Sequence, residues 1–199
     1  MKMRFLPMLP LLAAAVLLTP VSRAQGVPVF QIKPVDSNVK FFVKSSVAIT
    51  GKFNQWDATL TFSSPDVETG VLDLKVQAAS VDTGSGMKDG KLKSKDFFDV
   101  EHDPLITFHS TKITQTGPNT FDIPGTFTIR GVSKPETLTL TVSGTRGSGT
   151  GEVKGTMAFD RKDYGIDGSI PFIKIADRVE VDVDLVAKRV SGPALAFKQ

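Results

Sequence analysis

The feature that most constrains this chain is a two-residue alternation of apolar and polar side chains that recurs through residues 39–188. Such a period places every second side chain on one face of a strand. Val39, Phe41 and Val43 share one parity, followed by Val47, Ile49 and Phe53, and then by Trp56, Ala58, Leu60 and Phe62 up to a turn-forming break at 63–66. Leu72, Leu74 and Val76 are aligned, and Ile106 and Phe108 lie opposite Thr107 and His109. Phe121, Ile123, Phe127 and Ile129 carry the pattern to a turn at 130–135. Leu138, Leu140 and Val142 alternate with threonines and serine, and after a glycine/serine loop at 144–151 the chain returns through Val153, Met157 and Phe159. The last strand is the most regular, with Val179, Val181, Val183 and Leu185 alternating with Glu180, Asp182 and Asp184.

About eight strands, apolar on one side and joined by short turns, predict an all-β protein whose antiparallel sheet closes or folds on itself as a barrel or sandwich. One short helical segment is expected near 87–100, where Lys88, Lys91 and Lys95 have helical spacing around Leu92 and Phe97-Phe98 closes the segment. It is placed to cap a barrel end. The reading gives a single domain over 25–190 and a loose tail over 191–199, which contains Gly192 and Pro193 and shows no period.

Residues 1–24 read as a secretory leader: Lys2 and Arg4, an apolar run at 11–18, and a small-x-small pattern at Ser22-Arg23-Ala24. The apolar run is shorter than a bilayer requires and is flanked by Pro7, Pro10 and Pro20, so no transmembrane segment is expected after cleavage. The mature protein is expected in the periplasm or outside the cell. The 24 basic residues less the three in the leader leave 21 against 21 acids, so the mature chain is neutral and no nucleic-acid partner is implied.

The chain has no cysteine, which closes disulfides, thiolate metal sites and thiol nucleophiles. Its two histidines, His102 in a turn-forming stretch and His109 on a wet strand face, are too few for a metal centre. Glu180, Asp182 and Asp184 are spread along a strand and do not wrap an ion. No Gly-x-Ser-x-Gly elbow occurs, and the glycines at 147, 149 and 151 precede a strand and not a helix, so neither a hydrolase triad nor a phosphate loop is indicated. No catalytic residue, metal or cofactor is assigned. Phenylalanine dominates the aromatics, 14 against one Tyr and one Trp, which suits an apolar interior. Alternation alone is compatible with a barrel filled by side chains and with one that holds a small ligand.

Four blocks in order resemble the YceI-like family of bacterial polyisoprenoid-binding proteins. They are Val35-Asp36-Ser37-Asn38-Val39-Lys40-Phe41; the stretch 79–113 with Ser94-Lys95-Asp96-Phe97-Phe98-Asp99-Val100; Gly131-Val132-Ser133-Lys134-Pro135; and Arg161-Lys162-Asp163-Tyr164-Gly165-Ile166 leading to Val179-Glu180-Val181. The resemblance spans residues 31–188 and implies an extended lipocalin-like antiparallel barrel enclosing a long isoprenoid lipid, such as a polyprenyl phosphate or an isoprenoid quinone. Many relatives carry histidine where Lys91 precedes Leu92, so a head-group role for that histidine does not transfer.

The lining candidates are Phe41, Val43, Ile49, Phe53, Leu60, Phe62, Leu72, Leu74, Val76, Phe97, Ile106, Phe108, Phe127, Ile129, Leu138, Leu140, Val142, Met157, Phe159, Val181 and Val183. The expected function is non-enzymatic binding, transport or sequestration of that lipid. An enzyme acting on a lipid-like substrate and a filled barrel acting as an interaction module are the alternatives. Lys88, Lys91, Lys93 and Lys95 read as a solvated face, with an anionic head group at the barrel mouth as their functional alternative. The pattern sets no oligomeric state, and a dimer is compatible with it.

Overall fold

The computed structural model describes residues 26–32, 37–46, 48–144 and 149–198. The expected leader, Val35, Asp36, Val47 and residues 145–148 of the glycine/serine loop lie outside them. The alternation becomes twelve antiparallel strands: β1 (Val29–Ile32), β2 (Asn38–Ser45), β3 (Ile49–Phe53), β4 (Trp56–Thr61), β5 (Val71–Gln77), β6 (Val81–Asp82), β7 (Leu105–Ser110), β8 (Thr114–Gln115), β9 (Thr120–Ile129), β10 (Val132–Ser143), β11 (Thr150–Asp160) and β12 (Ile175–Ser191). The count exceeds the expected eight or so because β1, β6 and β8 run for only two to four residues, too short to leave an alternation in the sequence.

The sheet runs β4-β5-β7-β9-β10-β11-β12-β2-β3-β6, with β1 paired to β12 and β8 to β9. Its ends, β4 and β6, are not laddered to each other, so it is an antiparallel sheet curled into an open barrel. The 17 residues of β12 take β2 along 175–184 and β1 along 187–191. Burial follows the pleat: β3 alternates buried and exposed at every residue, and the inward face forms one hydrophobic cluster. Ser110 is buried on this face; its Oγ accepts the Leu72 amide at 2.7 Å, so it leaves no unpaired group inside.

The turn expected over 130–135 is tighter. Arg130 (φ 52°) and Gly131 (φ 69°) alone join β9 to β10, with Ile129 opposite Val132. Two successive positive φ angles match the right-handed twist of the flanking strands, which is why a glycine stands at the second position. Pro135 therefore lies within β10. It is tolerated because the ladder from β10 to β11 begins only at Thr139, so the missing N–H faces an unpaired edge.

The helix α1 spans Gly86–Lys93 and not 87–100. Ser94 leaves the helical region and bonds back to the Lys91 carbonyl, and Asp99 takes a left-handed conformation (φ 50°), so the chain turns instead of continuing. The turns still bring Leu92, Phe97 and Phe98 inward, where they cap one end of the barrel.

The tail is not loose. Its backbone pairs Ala196 with Asp66, Leu195 and Phe197 pack on the core, and Gln115 exchanges side-chain bonds with the Lys198 backbone. Two apolar side chains in an aperiodic stretch give no strand signal, which is why alternation misses it. Lys198 Nζ also reaches Glu68 at 2.6 Å, and this bond is the main cause holding the Glu68 carboxyl below its ordinary 4.5. A lowered pKa stabilises the docked tail above that ordinary value and ceases to do so as pH falls through the depressed one. The amide protection factor of Ala196, measured against pH, is expected to fall on acidification below 4.5 while β9 amides keep theirs.

Candidate ligand cavity

The inward row of each strand surrounds apolar space in two lobes that meet at Leu74, Leu138 and Val183, which line both. The lobe under α1 has a volume of about 90 Å³. The lobe at the other end, between β1, the facing ends of β10 and β11 and the tail, has about 510 Å³. The second value falls in the roughly 300–1,000 Å³ range of small-molecule sites, and the first does not.

Every lining candidate, those of the alternation and Phe97 of the helical segment, lines one lobe or the other. Phe41, Val43, Ile49, Phe53, Val76, Phe97, Ile106, Phe108, Phe127, Ile129, Met157, Phe159 and Val181 surround the narrow lobe. Leu60, Phe62, Leu72, Leu140 and Val142 surround the wide one, and Leu74, Leu138 and Val183 stand between them. Alternation cannot say how much of this interior is open. The narrow lobe is nearly filled by two aromatic triads: Phe41, Phe53 and Phe98, with centroids 5.6–6.3 Å apart, and Phe127, Phe159 and Tyr164, at 5.1–5.4 Å. Around the wide lobe the inward positions include Ala58, Ala187, Gly149 and Gly151, and small residues leave the volume unfilled.

Much of the lining missed by the alternation comes from three sources. Phe30 and Ile32 lie on short β1, Ile113 lies between strands, and Leu195 and Phe197 come from the tail. Arg189 and Arg161 had a readable signal: Arg189 continues the parity of Val179, Val181, Val183, Leu185 and Ala187, and Arg161 that of Val153, Met157 and Phe159.

Among the described residues each lobe has one charged lining residue. In the narrow lobe it is Arg161, 7% exposed. Its guanidinium donates to the carbonyls of Ile166, Gly168 and Ala176 and pairs with Asp177 at 3.1 Å, so its capacity is spent on the loop that closes this end. A hydrogen bond from Lys162, and then the charges of Lys162 and Arg161, keep the Asp177 carboxyl below the usual range. Tyr164, fully buried, donates to Glu136 at 3.0 Å, and burial above all pushes its hydroxyl well above the ordinary phenol value. The Arg161–Ile166 block is thus a packed plug. In the wide lobe the charged residue is Arg189, beside Asn119, Ser143 and Thr150.

The α1 lysines sit at the narrow end. Lys91 pairs with Asp96 at 2.8 Å and stands 5.5 Å over the Phe97 ring. His102 bonds Asp99 at 2.8 Å, which raises its pKa, and His109 bonds Asp73 across the outer face at 2.6 Å. Glu180 and Asp182 are exposed on the outer face. Among the described residues no helix is long and apolar enough to cross a membrane.

The model of the YceI-like domain matches residues 30–187. The chain belongs to the YceI-like family. Among its relatives, a UPF0312 protein of Pseudomonas savastanoi pv. phaseolicola is 31% identical over 145 residues, 71% of this chain and 75% of that protein. One of Pseudomonas fluorescens is 33% identical over 141 residues, 69% and 72% of the two chains. Among solved structures, BcnA of Burkholderia cenocepacia superposes with a TM-score of 0.71 at 25% identity, over 78% of this chain and 99% of BcnA. A polyisoprenoid binding domain from Saccharophagus degradans shares the YceI-like fold at 15% identity and a TM-score of 0.62, over 81% and 99%.

Proposed function

We propose that this YceI-like protein binds a long-chain isoprenoid lipid in its two-lobed interior and carries or sequesters it without chemical change. The observation that carries the reading is the wide lobe itself, an unfilled apolar volume of about 510 Å³ continuous in lining with a narrow aromatic end. A prenyl tail is flexible and nearly free of hydrogen-bonding groups, so Phe, Leu, Ile and Val solvate it without orphaning polar atoms. The naming of the Saccharophagus relative as a polyisoprenoid binding domain supports the same ligand class. A binding role in place of an enzymatic one is supported by the commitment of the buried polar groups of the narrow lobe, Arg161 and Tyr164, to structural partners. The leader pattern supports export to the periplasm or beyond, with a mature chain beginning near Gln25.

The magnitudes set a minimum length. Four prenyl units of five carbons give a gross transfer term on the order of 15 kcal/mol at about 0.8 kcal/mol per buried CH₂, comparable with an association cost of about 4–15 kcal/mol. Titration of the delipidated protein with prenyl alcohols of increasing length tests the reading. Affinity is expected to rise steeply with each unit until both lobes are occupied and then to level off; an affinity independent of chain length would refute it.

A further inference from the structure

We propose that the wide lobe carries an anion subsite at its outer end, built on Arg189, which selects isoprenoid lipids with a phosphate head group. This rests on the lipid reading above and goes beyond it by fixing head-group charge and orientation. Five successive inward positions of β12, from Val179 to Ala187, are apolar, and the sixth is Arg189. An inward arginine at the end of an apolar row places a guanidinium at the boundary between hydrocarbon space and solvent. That is where the head of an amphiphile whose tail fills the cavity must lie.

Three further observations agree. Arg161, the other arginine facing the interior, is fully engaged, whereas the Arg189 side chain makes a single hydrogen bond, from Nη1 to the Gly192 carbonyl at 2.8 Å, and no ion pair with any described residue. Its planar fork therefore retains donors for a phosphate, which guanidinium recognises with two parallel bonds. Two glycines flank it on the neighbouring segment. Gly149 lies opposite Arg189, its amide partner, and Gly151 lies opposite Ala187. A Cβ on Gly151 would crowd the Ser143 carbonyl at 3.3 Å. Arg189 is also the only charged side chain among the described residues lining this lobe. The lysines of α1 stand at the other end, over a lobe of about 90 Å³ that takes a chain terminus and no head group. The lipid therefore lies with its tail toward α1 and its head at Arg189.

The test compares geranylgeranyl phosphate with geranylgeraniol on the delipidated protein, with inorganic phosphate as a third ligand. The wild type is expected to prefer the phosphate by about tenfold or more, the worth of a charge-assisted pair, and added salt should shrink that preference. Arg189→Gln is expected to remove the preference, weakening the phosphate far more than the alcohol, and Arg189→Lys to restore part of it. Inorganic phosphate alone is expected to bind far more weakly than the lipid phosphate, because the tail supplies most of the affinity. Equal binding of both lipids by the wild type, or a preference that survives Arg189→Gln, overturns the subsite and leaves the lipid reading standing. Binding of neither lipid overturns both. If Arg189→Gln does not fold, the wild-type comparison and its salt dependence decide the matter.

Discussion

Leu74→Phe is expected to lower affinity for a geranylgeranyl chain by on the order of a hundredfold and to leave the delipidated protein as stable as the wild type or more so. Leu74 lines both lobes and is only partly buried although it faces inward, so free space adjoins it. A ring there separates the lobes and denies the chain end its place under α1. One excluded prenyl unit of five carbons forfeits about 4 kcal/mol of gross transfer energy, of which a hundredfold is about 2.7 kcal/mol. In a close-packed core the same substitution would instead cost about 1–3 kcal/mol of stability through off-rotamer side chains. Val183→Phe at the same waist and Leu140→Phe in the wide lobe are the companion variants. Stability by urea denaturation and affinity by titration move in opposite directions if the interior is a cavity. Destabilisation by all three with no loss of binding would show a filled barrel.

Arg161→Ala is expected to destabilise the fold by about 3–5 kcal/mol, because buried acceptors left unpaired cost about 1–3 kcal/mol each. The carbonyls of Ile166 and Gly168 both belong to buried residues, and the guanidinium that satisfies them also ties Ala176 and Asp177 to the loop. Arg161→Lys restores the charge but not the fork, so its loss is expected to be intermediate. Urea midpoints measure both. A loss below about 1 kcal/mol for the alanine variant would be of the size of a surface substitution and would show that the loop closes the barrel without this network.

The architecture was legible wherever one face of a strand is buried, since burial writes a period of two into the sequence. β2, β9 and β12 could be read in this way, and with them the inward candidates other than Phe97, which lies on no strand. What could not be read has physical causes. Strands of two residues carry no period. The helix stops at Ser94 through a side-chain bond to the preceding turn, which competes with helix continuation without changing the lysine spacing. The tail docks through Leu195 and Phe197, too few apolar residues to make a pattern. The division of the interior into a filled and an open lobe depends on which facing positions are aromatic and which are glycine or alanine across strands far apart in sequence. Phe127 on β9 and Phe159 on β11, whose ring centroids lie 5.1 Å apart, are one such pair. Arg189 lies one residue past the alternation read over 39–188, on a strand that runs on to Ser191, and its meaning emerges only once the outer end of the wide lobe is seen beside it.

The most direct measurement of the central claim is mass spectrometry of organic extracts from protein purified natively from an exporting bacterial host, compared with an extract of the Leu74→Phe variant. The wild type is expected to release an isoprenoid lipid at close to one molecule per cavity, and the variant markedly less. A wild-type extract with no isoprenoid, from protein that also fails to take one up when it is supplied, would contradict the account.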